Sequence, residues 1–115
     1  MDRRKDVRFP VQFRSSFSST TLIAGNGTLS DLSIRGCQVA SRASVKPGAT
    51  LKLELYVPES ESPIQVAQSV VRWVRENSFG CEFVTLQPHE WTRLQLLIKE
   101  LHKEPYQKAQ EEAAN

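Results

Sequence analysis

A chain of 115 residues with a formal net charge of +2 is long enough for one domain with a modest core and too short for two. Its apolar share of 39% and charged share of 24% are ordinary for a soluble globular protein, and the charge is too small to mark the whole chain as a nucleic-acid binder. No apolar run approaches the ~20 residues that span a membrane, and the charged N-terminus has no apolar segment behind it, so a cytoplasmic location without a secretory signal is expected.

The chain opens "MDRRKDVRF", which crowds Arg3, Arg4, Lys5 and Arg8 into its first positions. Residues 1–9 read as a mobile arm. Arg4 and Arg8 form R-x-x-x-R and can reach a common anion from one side of a turn or from a flexible segment. A guanidinium is planar and permanently charged; it can fork onto phosphate oxygens or the edge of a guanine, and it can stack on a purine. By itself, however, a charged N-terminus reads as a solvated tail.

From Phe9 to Val84 the period is that of strands. "PVQFRSSF" sets Val11, Phe13 and Phe17 against Gln12, Arg14 and Ser16. In "SDLSIRGCQV", Asp31, Ser33 and Gly36 make D-x-S-x-x-G. Alternation places Asp31 and Ser33 on one face, opposite Leu32 and Ile34. A carboxylate there can accept from a guanine edge and a hydroxyl can donate to a phosphate, while Gly36 permits a positive φ or a close backbone approach. The plainer reading is a turn shaped by local side-chain to backbone bonds. "TLKLELYV" alternates cleanly through Leu51, Leu53, Leu55 and Val57. "PIQVAQSVVRWVRE" changes phase between Ile64/Val66 and Val71/Trp73, which predicts a bulge. "SFGCEFV" aligns Phe79, Cys81 and Phe83 on one side.

Short strands separated by turn signals, with no helix between them, indicate a small antiparallel barrel or sandwich. The period then changes. Pro88 opens a helix over about 88–104, with Trp91, Leu94, Ile98 and Leu101 in one apolar stripe. That stripe packs on the barrel, or it forms a seam between subunits, so the chain reads as a monomer or a weak homo-oligomer. Residues 10–104 thus form the domain, and 105–115 a polar tail. Cys37 and Cys81 read as small apolar side chains in a reducing compartment. With the distant His89 and His102 they give no metal-ligand spacing, and no set of residues suggests catalysis.

R-x-x-x-R followed by D-x-S-x-x-G resembles the bipartite signature of the PilZ domain family, bacterial receptors for the second messenger cyclic di-GMP. The resemblance continues through "KPGATLKLELYVP", "QSVVRWV" and "SFGCEFVTL", in the family's order. It implies a six-stranded antiparallel β-barrel with a C-terminal α-helix. It also implies a cyclic di-GMP site made of Arg3, Arg4 and Arg8 from the arm with Asp31, Ser33 and Gly36 from the barrel. Arg3 beside the R-x-x-x-R leans the expectation toward two cyclic di-GMP per subunit. Arg35, Arg72 and Trp73 are further candidates: Arg35 reaches a phosphate or faces water, and Trp73 stacks on a base or packs in the core beside Val71, the core being preferred.

The expected function is therefore a cytoplasmic receptor without catalysis or cofactor, whose output passes through an unidentified protein partner. Two rivals stand beside it. One is a PilZ-like adaptor that binds protein but no nucleotide. The other is a small nucleic-acid-binding barrel, against which the interleaved acids and the 8% aromatic content weigh.

Overall fold

The computed structural model describes residues 7–19 and 24–103. Strands β1 (Phe9–Ser18), β2 (Ala24–Leu32), β3 (Gly36–Ala40), β4 (Thr50–Tyr56), β5 (Ile64–Arg75) and β6 (Ser78–Thr85) precede one helix, α1 (Pro88–Lys103). The strands close into a barrel in the order β1-β2-β3-β6-β5-β4, and every neighbouring pair, including β1 with β4, is antiparallel. The expected six-stranded barrel with a C-terminal helix is the fold observed. Closure removes the exposed edges that so small a sheet could not otherwise cover.

Alternation builds the interior. Phe17, Leu29, Val39, Leu51, Leu53, Leu55, Val66, Val71 and Phe79 are buried and point inward. Each large side chain removed from water in this way contributes about 1.5–3 kcal/mol. Phe17 and Phe79 meet edge to face, their centroids 5.1 Å apart, and so connect β1 to β6 through the centre of the barrel. Cys37 and Cys81 are free thiols that face one another across β3 and β6. Burial pushes both up, Cys81 to about 11. Near neutral pH they are uncharged and pack like small apolar side chains.

Two bulges in β5 decide which of its residues reach the outside. Between Gln68 and Ser69 the register shifts, carrying β5 from the Ile64/Val66 phase to that of Ser69 and Val71, as the sequence predicts. A second shift lies between Val71 and Trp73. An extra residue in one strand turns those beyond it to the other face. Trp73 is thereby excluded from the buried core and lies partly buried on the outer face, which corrects the preferred expectation that it packs beside Val71.

α1 lays Leu94, Leu97 and Leu101 against the barrel, with Trp91 and Ile98 partly covered. Its buried Glu90 accepts from Arg93 Nη1 at 3.0 Å, and Arg93 also donates to the carbonyls of Ser62 and Pro63. These bonds tie the β4–β5 loop to the helix.

Candidate functional site

The β2–β3 turn is built by Ser33. Its backbone N–H donates to the Gly36 carbonyl at 2.8 Å, and its Oγ accepts from the N–H groups of Arg35 and Gly36, each at 3.2 Å. The same hydroxyl donates to the Gly36 carbonyl at 3.3 Å. Ser33 is fully buried. Strand alternation ends at Leu32, so Ser33 turns inward and no longer shares the face of Asp31. The structure brings it to the loop's interior, where it shapes the turn.

Gly36 begins β3 opposite Glu82. A Cβ there would lie 2.2 Å from the Cys81 carbonyl oxygen, so the glycine is needed for close approach of the strands rather than for a left-handed turn. With β3 held against β6, the outward face carries a row across four neighbouring strands. Asp31 of β2 pairs with Gln38 of β3, Gln38 with Gly80 of β6, and Gly80 with Trp73 of β5. At the usual strand separation this row runs about 14 Å. A Cβ on Gly80 would meet the Trp73 indole nitrogen at 2.2 Å, so the ring lies across the glycine and is held flat on the sheet. Arg75 stacks on the indole, its Cζ 4.8 Å from the ring centroid.

Arg8 closes the other end. Its Nε and Nη2 donate to Asp31 Oδ1 at 3.1 and 2.9 Å, joining the two halves of the sequence signature. The resulting cleft has a volume of about 630 Å³ and is lined by Arg8, Arg35, Arg72 and Arg75 against the carboxylates Asp31 and Glu82, with Trp73 in its wall. Such a surface offers forked donors for phosphate, an acceptor for a guanine edge and an aromatic face for a base.

Of the residues expected from the sequence, the structure gathers Arg8, Asp31, Arg35, Gly36, Arg72 and Trp73 around this cleft and leaves Ser33 beneath it. Arg3 and Arg4 lie outside the described residues. Gln38, Arg75, Gly80 and Glu82 also line the cleft and were missed. Only their pairing across strands distant in the chain reveals them. Among the described residues no cluster of His, Cys, Asp and Glu could hold a metal ion, and no helix is long and apolar enough to cross a membrane.

The family model described as the PilZ domain matches residues 2–100. No curated protein matches the sequence. Solved structures of the same fold include the inhibitor of motility MotI/DgrA of Bacillus subtilis, at 20% identity and a TM-score of 0.70, with 90% of this chain and 53% of that one covered. The PilZ domain of YcgR from Escherichia coli with c-di-GMP has 16% identity and a TM-score of 0.72, with 95% of this chain and 98% of that one covered. The K. pneumonia MrkH–c-di-GMP complex has 18% identity and a TM-score of 0.72, covering 94% of this chain and 55% of that one. This chain therefore spans about half the length of MotI/DgrA and MrkH.

Proposed function

The chain belongs to the PilZ domain family, and on that premise we propose that it is a cytoplasmic receptor for cyclic di-GMP with no catalysis of its own. The observation that carries the reading is the Arg8–Asp31 pair, which joins the R-x-x-x-R arm to the D-x-S-x-x-G strand at the lip of a cleft whose far wall is Trp73. Both Arg8 N–H groups converge on Oδ1, so the carboxylate keeps its orientation while Oδ2 accepts from the N1–H and N2–H edge of a guanine. Arg4 and Arg8 grip phosphate. Gly36 lets the strands close beneath the ligand, and Ser33 holds the loop that carries Arg35. Two similar structures that contain c-di-GMP, those of YcgR and MrkH, support the choice of ligand. The response passes to a protein partner, which the bound nucleotide and the ordered arm together present with a new surface.

Calorimetric titration tests this directly: cyclic di-GMP should bind far more tightly than GMP or GTP. Equal competition by the mononucleotides would reduce the cleft to a generic anion site. The titration should saturate near two ligands per subunit, because Arg3 adds a cation that offsets the repulsion between two stacked dianions. Arg3→Leu should shift saturation toward one. Saturation of the unmodified protein at one ligand would refute the pairing and leave the receptor reading intact.

Trp73 supplies an optical readout. A base that takes the place of Arg75 on the indole should change its fluorescence, and Trp73→Phe should abolish that change while keeping an aromatic face for binding. An unaltered fluorescence response in Trp73→Phe would assign the signal to Trp91 on the helix and place the ligand elsewhere.

A further inference from the structure

The far wall of the cleft contains an ion pair with no evident part in holding the fold. Arg72 Nε donates to Glu82 Oε1 at 2.7 Å, and the two side chains are 59% and 41% exposed. Exposed pairs of this kind add little to stability. Their placement is specific nonetheless. β6 sets Glu82 opposite Gly36 on one side and Val70 on the other, so its carboxylate stands on the outward face one step along the strand from the Gly80 floor. The bulge between Val71 and Trp73 contains Arg72 and brings its guanidinium into the same cleft. A second carboxylate besides Asp31 is thus built into a cleft that also presents Arg8, Arg35, Arg72 and Arg75.

We infer that Glu82 is an internal counter-anion: it occupies Arg72 while the site is empty and is displaced when a phosphate-bearing ligand arrives, and so sets the affinity of the cleft. This rests on the reading of the cleft as a cyclic di-GMP site. Carboxylate and phosphate oxygens compete for the same donor, and Arg72 meets Glu82 through a single Nε–H rather than a two-toothed fork. A phosphate can engage a guanidinium through two parallel bonds, so exchange favours the ligand. Because the pair is exposed and singly bonded, Glu82 gives way readily, and it tunes binding rather than blocking it. It differs in this from Asp31, which takes two bonds from Arg8 and belongs to the recognition surface. Removing the negative charge leaves Arg72 without its carboxylate and raises the net positive charge of the cleft, so mobile salt has more to screen.

The test is a double-mutant cycle by calorimetry at low salt, with cyclic di-GMP and inorganic pyrophosphate as separate probes. It uses the full chain as wild type, Glu82→Gln, Arg72→Ala and the double variant. Glutamine keeps the shape of an exposed side chain, so folding is retained. Glu82→Gln should bind cyclic di-GMP about two- to fivefold more tightly than wild type, the range equivalent to an exposed ion pair. Its affinity should also fall more steeply with added salt. In the Arg72→Ala background the gain should vanish, since the carboxylate then restrains nothing. Equal affinities of wild type and Glu82→Gln would overturn the inference, as would an undiminished gain without Arg72, which would mark a diffuse charge effect. If no variant binds cyclic di-GMP while pyrophosphate shows the cycle, the receptor reading falls and the counter-anion stands. If neither probe binds any variant, both fall.

Discussion

Arg8→Ala should weaken cyclic di-GMP binding by roughly ten- to a hundredfold, the equivalent of losing hydrogen bonds to charged groups worth about 1.5–3 kcal/mol. The loss has two parts. One guanidinium no longer meets the ligand, and Asp31 loses the partner that orients it, since both of the observed Arg8 bonds end on Oδ1. Asp31→Ala should therefore cost a similar factor, and the double variant should cost less than the two losses combined. Neither change should unfold the barrel, because the Arg8 and Asp31 side chains are 47% and 24% exposed and such a pair adds little to stability. Calorimetry combined with thermal melting by circular dichroism separates the two effects. Wild-type affinity in both single variants would place the ligand outside this cleft.

Gly36→Ala should have the largest effect on stability. Its Cβ would meet the Cys81 carbonyl oxygen at 2.2 Å and the Glu82 Cα at 3.2 Å, both backbone atoms of the neighbouring strand that no rotamer change can move. The β3–β6 seam must part, at an overpacking cost of about 1–3 kcal/mol. That amounts to a fall in Tm of roughly 4 °C or more for a domain of this size. Binding should weaken too, because the same seam aligns Gln38 with Gly80. Gly48→Ala is the control. Its φ of +91° strains any other residue, but no atom lies within 4 Å of the added methyl, so binding should be unaffected. A Gly36→Ala protein that melts like the wild type would show that the two strands have room to spare.

Most of the fold was legible because a half-buried strand has a period of two. Leu51, Leu53 and Leu55 point inward as their spacing predicts, and the change of period at Pro88 coincides with the start of the helix. What escaped depends on departures from that period. The bulge after Val71 reverses the face of Trp73, and the sequence bears only the earlier phase change, at Gln68/Ser69, as a warning. Ser33 escaped for a related reason: alternation was carried past the end of β2 into a turn, where side-chain bonding to the backbone sets direction instead. Of the site, the signature half was visible as a resemblance, and the β5–β6 wall was not. Gln38 and Gly80 are ordinary residues in their own strands; only the register makes them neighbours.

That register also sets the order in which the site can come into being. β3 finds its second neighbour in β6, the last strand of the barrel, so Asp31 and Gln38 wait for Gly80 and Trp73 until nearly the whole domain has left the ribosome. A nascent or truncated chain ending before Ser78 carries the complete R-x-x-x-R and D-x-S-x-x-G signature and yet has no floor to its cleft. Contacts of such long sequence separation are slow to form. Once formed, they link occupancy to the integrity of every strand in the row: a ligand at a hundred times its dissociation constant stabilises the native barrel by about 2.7 kcal/mol. On the proposed receptor reading, nucleotide concentration would then govern the lifetime of the protein as well as its response, and partly folded chains would remain silent to the ligand however abundant it became.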